Sequence, residues 1–298
     1  MTCKSGARAA FLAIGISMVG AVAAFSVSGQ QAKTSENPHA TVLSIGGSVT
    51  EIVAALGQEH RLKARDTTST YPPSVESLPD VGYMRALSPE GILSVGPSLI
   101  LSEEGAGPPE ALDVIRAADV TFVEVPDALT TEGILRKISV VGDALDVPDR
   151  AGALAAKVKA EMQAAILDAA RPEGDKKRVL FVLSTQGGKI NASGTGTAAD
   201  AIIRMAGGLN AISAFEGYKQ ITDEAVGQAA PDVIVMMNRT GDHAITDDAL
   251  FDMPAIRLTP AARERAVVRM DGLLMLGFGP RTAEGIRHLN AALYEQGI

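Results

Sequence analysis

Ser88-Pro89-Glu90-Gly91-Ile92-Leu93-Ser94-Val95-Gly96-Pro97-Ser98-Leu99-Ile100-Leu101 aligns without a gap on Thr222-Asp223-Glu224-Ala225-Val226-Gly227-Gln228-Ala229-Ala230-Pro231-Asp232-Val233-Ile234-Val235 of the same 298-residue chain. Each copy reads alike: a residue suited to cap a helix, an acidic first turn, a short helix, a proline, and an apolar run suited to a buried strand. Any αβ unit of a parallel sheet would give the same pattern, so the match alone does not establish a duplication. Under either reading the chain holds two α/β lobes.

Working outward from the first copy, Thr41-Val42-Leu43-Ser44-Ile45 is a short β-prone run. Gly46-Gly47 then leads into Ser48-Val49-Thr50-Glu51, which fits a capping box opening a helix to Leu56. Ser98 to Ser102 and Thr121 to Val125 read as buried strands, and Pro109 to Ala118 and Thr130 to Leu145 as helices. Strands separated by helices predict a mostly parallel sheet covered on both faces. Residues 149–171 are rich in Ala, Lys and Glu and stop at Arg171-Pro172-Glu173-Gly174, which predicts a long connecting helix. A second series follows, with strands at Arg178 to Leu183 and Asp232 to Met237, a helix at Thr197 to Ala206, and a last helix from Pro280. The expected fold is α/β, with two Rossmann-like lobes at 40–148 and 172–298 bridged by the long helix. Loops at the carboxyl ends of the strands would line a ligand cleft between the lobes.

Before the first strand, residues 1–29 place Lys4 and Arg8 ahead of an apolar run from Ala9 to Phe25, broken by Gly15, Ser17 and Gly20. That is the form of a cleaved signal peptide, and it predicts an exported, periplasmic protein. Removal of the leader takes away Cys3, the single cysteine, so the mature chain must rely on its core and not on disulfides. The full chain has 27 basic and 35 acidic residues, a net charge of −8, and loss of Lys4 and Arg8 makes it more negative still. That balance, with no tryptophan, excludes a nucleic-acid partner.

Signatures of catalysis are weak. Ser193-Gly194-Thr195-Gly196-Thr197 lacks the lysine of a phosphate loop and the third glycine of a dinucleotide fingerprint, and reads as a flexible loop before a helix capped by Thr197. There is no Gly-x-Ser-x-Gly elbow and no His-Glu-x-x-His, and His39, His60, His243 and His288 are scattered. The chain is therefore read as a binder and not an enzyme.

The informative stretch is Asp80-Val81-Gly82-Tyr83-Met84-Arg85-Ala86-Leu87-Ser88-Pro89-Glu90-Gly91, where a tyrosine on a glycine-led turn precedes a helix, with an arginine two residues on. A phenolate is a hard anionic ligand suited to ferric iron, and tyrosine serves as an axial haem ligand in some proteins. Since an unperturbed tyrosine titrates near pH 10, a neighbouring cation or the metal must favour the ionised form. Arg85 can supply that charge, or pair with a propionate. Tyr83 as an amphipathic cover over the first lobe's core is the plainer alternative.

With Ser44 to Ile52, Asp66 to Pro72, Gly82 to Gly91, Ala192 to Asp200 and Leu274 to Arg281, the mature chain resembles the periplasmic haemin-binding proteins of bacterial haem ABC importers. These sit within a class of substrate-binding proteins that includes siderophore and cobalamin binders. The resemblance implies a rigid pair of lobes holding ferric haem, with Tyr83 as axial ligand, Arg85 beside it, and Arg239 and Tyr218 as second-lobe contacts. His243 is the nearest candidate for a second axial ligand. Glu90 and Glu224 match the acidic residues, one per lobe, that dock such proteins on an ABC permease dimer at the inner membrane. They equally suit stabilisation of their helix ends. A siderophore or cobalamin carrier, and more remotely a secreted α/β hydrolase, are the alternatives.

Overall fold

The computed structural model describes residues 41–238 and 244–295. The expected leader at 1–29, Arg239 and His243 lie outside these residues.

In the first lobe β1 (Val42–Ile45), α1 (Gly47–Ala55), β2 (Leu62–Arg65), α2 (Pro89–Ser94), β3 (Leu99–Glu103), α3 (Pro109–Arg116), β4 (Thr121–Val125) and α4 (Thr131–Ala144) alternate along the chain. Their strands form a wholly parallel sheet in the order β2-β1-β3-β4. The 22-residue α5 (Pro148–Ala169) follows and packs on α4. The second lobe opens with β5 (Arg178–Ser184), β6 (Ile190–Ser193), α6 (Ala198–Met205), β7 (Leu209–Asn210), β8 (Tyr218–Ile221) and α7 (Asp223–Ala229). It continues with β9 (Val233–Met237), α8 (Asp247–Phe251), α9 (Pro260–Arg263), β10 (Val267–Met270), α10 (Gly272–Leu276) and α11 (Thr282–Tyr294), the last of which packs back on α5.

Strand periodicity divides the core. Val179 and Phe181 of β5 and Val233 and Val235 of β9 face one cluster, which also takes in Val158 and Met162 of α5, Ile286 and Leu289 of α11, and Leu99 and Leu101 of β3. Leu180, Val182, Ile234 and Met236 alternate to the opposite face of the second sheet. Leu43, Ile45 and Ile100 do the same in the first, against Met84, Leu87 and Ile92. One apolar cluster thus runs from lobe to lobe through the long helix.

The two repeat copies fold alike. Ser88 caps α2 by accepting from the Gly91 N–H at 3.5 Å, and Thr222 caps α7 by accepting from the Ala225 N–H at 3.1 Å. The following strands, β3 and β9, each lie next to the first strand of their lobe. The likeness extends to topology, because the parallel part of the second sheet, β7-β5-β9-β10, repeats the order β2-β1-β3-β4.

Three expectations need correction. The second sheet is mixed, since β6 runs antiparallel to β5 and β8 antiparallel to β6. The capping box at Ser48 does not form: α1 starts at Gly47 behind Gly46 with no side-chain cap. The side chains of Ser48 and Glu51 are engaged by distant residues instead, as described below. The loop at Ser193 to Thr197 is held in place, with Thr197 capping α6 and the Gly194 N–H donating to the Gly217 carbonyl at 2.8 Å. A Cβ on Gly194 would fall 2.1 Å from the Phe215 carbonyl oxygen, so only glycine allows this approach.

Candidate functional site

Beyond the carboxyl end of β2 the chain returns beside it. Arg65 and Asp80 form a parallel bridge, the Val81 N–H donates to the Arg65 carbonyl at 2.9 Å, and the Thr67 N–H to the Gly82 carbonyl at 3.0 Å. At Gly82 the backbone takes a φ of 101° and turns. Met84 and Leu87 drop into the apolar cluster with Ile92, while the segment is pinned by backbone bonds from Gly107 to the Met84 carbonyl and from Leu87 to the Gly107 carbonyl, each 2.9 Å. With its neighbours buried in this way, Tyr83 is turned outward and is 44% exposed.

Arg85 lies on the same outward side. Its Nη1 donates to the Tyr83 hydroxyl at 2.6 Å, and its guanidinium carbon lies 5.8 Å from the centre of the tyrosine ring.

Tyr218 opens β8 in the second lobe. Its ring meets Phe181 edge-on with centroids 6.2 Å apart. Its hydroxyl is bonded by the Thr197 side chain and the Ala199 backbone at the start of α6. Burial raises the pKa of this phenol, and the two hydrogen bonds together with the charge of Arg85 act in the opposite direction. The charge of Arg85 in the first lobe thus reaches Tyr218 in the second, while the same side chain holds the Tyr83 hydroxyl.

Glu90 and Glu224 lie at the starts of two short helices. Both are exposed, in the first turns of α2 and α7, at matching places in the two copies. Tyr71, exposed like Tyr83 and Tyr218, has the guanidinium of Arg281 stacked 3.5 Å over its ring. It borders a groove of about 610 Å³ formed by α1, α5 and α11, whose lining includes none of Tyr83, Arg85 and Tyr218. Among the described residues no three His, Cys, Asp or Glu side chains converge as a metal site.

Two polar contacts cross between the lobes, and residue-by-residue reading of the sequence missed both. Lys137 of α4 is fully buried, and its Nζ lies 2.6 Å from Glu103 and 2.7 Å from Asp127. It also donates to Ser48 at 3.1 Å and to the Gly277 carbonyl of the second lobe at 3.4 Å. Burial raises the pKa of Glu103, opposed by the charge of Lys137. Glu51 of α1 meets Arg281, the residue preceding α11, through the backbone N–H at 2.9 Å and the guanidinium at 3.0 Å. Burial raises its pKa as well, opposed by Arg281.

Known proteins share this architecture. The family model described as periplasmic binding protein matches residues 42–273. A solved structure of the periplasmic heme-binding protein BhuT in complex with two hemes superposes with a TM-score of 0.81 at 38% identity, covering 87% of this chain and 99% of that one. The apo form of the periplasmic heme-binding protein RhuT from Roseiflexus sp. RS-1 gives a TM-score of 0.82 at 37% identity, with the same coverage of 87% and 99%. An uncharacterised ABC transporter substrate-binding lipoprotein of Bacillus subtilis is 25% identical over 256 residues, 85% of this chain and 79% of the relative.

Proposed function

The chain belongs to the periplasmic binding protein family, and from that premise we propose that it captures haem in the periplasm and delivers it to an ABC importer. Residues 1–29 are then the export leader, and 40–148 and 172–298 the lobes on either side of the connecting helix. The observation that carries the choice of ligand is the 2.6 Å hydrogen bond from Arg85 to the hydroxyl of the exposed Tyr83. Tyr83 acts as the axial ligand of ferric haem and Arg85 supports the negative charge on its oxygen, while the edge of the macrocycle reaches Tyr218. Arg239, just beyond β9, is the second-lobe cation for a propionate. Glu90 and Glu224 engage the two halves of a permease dimer. The protein carries out no chemical step of its own.

Haemin titration of the apo protein followed by absorption tests this reading. The wild type should bind one haem tightly with the charge-transfer bands of a tyrosinate complex. Tyr83→Phe keeps the ring and should lose those bands and about 100-fold or more in affinity, because even outer partners of a metal ligand are typically worth 10- to 100-fold. Tyr71→Phe, a change beneath Arg281 and outside the cleft, should leave the spectrum unaltered. A Tyr83→Phe protein with wild-type bands would assign the iron to another residue.

A further inference from the structure

We infer that Asp80 is the residue that positions Tyr83 for its ligand, through the Gly82 turn. The inference rests on Tyr83 being the iron ligand and adds to it the group that sets where its oxygen lies. Asp80 Oδ1 accepts from the Gly82 N–H at 2.8 Å and from the Thr67 hydroxyl at 3.1 Å, while Oδ2 lies 3.3 Å from Arg65 Nη1. Closing a turn onto the N–H two residues ahead is a habit of aspartate side chains.

Arg65 in turn is fixed on three further sides. Its Nε donates to the Val75 carbonyl at 3.1 Å, Nη1 to the Asp66 carbonyl at 3.1 Å, and Nη2 to the Glu76 carbonyl at 3.3 Å. The carboxylate of Asp80 is therefore anchored to a mostly buried arginine at the end of β2, and the Gly82 N–H is anchored to the carboxylate. Gly82 has a φ of 101° and a Cβ there would meet nothing within 4 Å. The turn is thus set by backbone conformation, by the bond of the Gly82 N–H to Asp80 and by the bond of the Thr67 N–H to the Gly82 carbonyl, not by packing around Gly82. Tyr83 is the next residue, with its side chain exposed, so the placement of its oxygen depends on that turn.

The test uses the full mature chain with haemin, and compares Asp80→Ala, Asp80→Asn and Gly82→Ala with the wild type and Tyr83→Phe. Asp80→Asn keeps an oxygen for the Gly82 N–H and should stay near wild type. Asp80→Ala frees the turn and should weaken the charge-transfer bands and speed haem release to an excess of apomyoglobin by about tenfold, the worth of a hydrogen bond to a charged group. Gly82→Ala strains the same turn without touching the Arg65 pair, and carries the same expectation should Asp80→Ala fail to fold. Wild-type bands and release in Asp80→Ala, or in Gly82→Ala if it alone folds, would overturn the inference even if the melting temperature falls, provided Tyr83→Phe has lost the bands. If Tyr83→Phe keeps them, the ligand assignment itself fails and the role of Asp80 falls with it.

Discussion

Burial lifts the pKa of Tyr218, and the charge of Arg85, carried by the other lobe, pulls it part of the way back. Two residues 133 positions apart in sequence, by their numbers, therefore share one electrostatic environment. Arg85 donates to the Tyr83 oxygen, and the Tyr218 ring rests edge-on against the buried ring of Phe181.

This coupling can be measured. Removing the cation in Arg85→Ala takes away one influence that lowers the Tyr218 pKa, so its ionisation should move to higher pH. Ultraviolet titration of the four tyrosines, with Tyr218→Phe subtracted to isolate the one signal, reads the shift. Arg85→Lys should restore most of it. A titration that does not move in Arg85→Ala would mean that the two side chains do not share the cleft in solution.

Glu90 and Glu224 give a second expectation. In Glu90→Lys with Glu224→Lys, haem affinity should stay near wild type while uptake and stimulation of the transporter's ATPase fall sharply. The loss should be greatest at low salt, where charge steers the encounter most strongly. If these carboxylates serve only the positive ends of α2 and α7, the double mutant should transport normally and lose about 0.3–1 kcal/mol of stability per site.

The third concerns Lys137. Replacing it with Met leaves Glu103 without its cation and the Gly277 carbonyl without this donor. The expected loss is about 3–5 kcal/mol in denaturant unfolding, as for other buried pairs broken from one side. Adding Glu103→Gln, which removes the stranded charge, should recover part of that loss. Equal stabilities of Lys137→Met and the wild type would contradict a buried ionic contact.

What could be read from the sequence was local or periodic. The cap, short helix and buried strand of each copy depend on residues within about fourteen positions, and both copies fold as expected. The antiparallel β8 was not legible, because Tyr218-Lys219-Gln220-Ile221 buries no face and offers no alternation to detect. Ser48 and Glu51 misled for a related reason. Their spacing fits a capping box, but Glu103 lies 55 residues from Ser48 and Arg281 lies 230 from Glu51, and a buried long-range partner outcompetes a local one. The Arg85 to Tyr218 relation depends on how the two lobes face each other, which no local pattern encodes.

The contacts that Gly277 and Arg281 return to the first lobe have a consequence for biogenesis. Lys137 waits 140 residues for the Gly277 carbonyl, and Glu51 waits 230 for Arg281. A polypeptide that emerges from its amino end meets these partners only when nearly all of it has been delivered. The first half cannot finish its polar interior as an independent fragment, and such long closures are slow to form. Truncated chains ending before residue 277 should therefore be quick targets for proteolysis, and the last twenty or so residues act as the fastening that commits the whole chain to its native state.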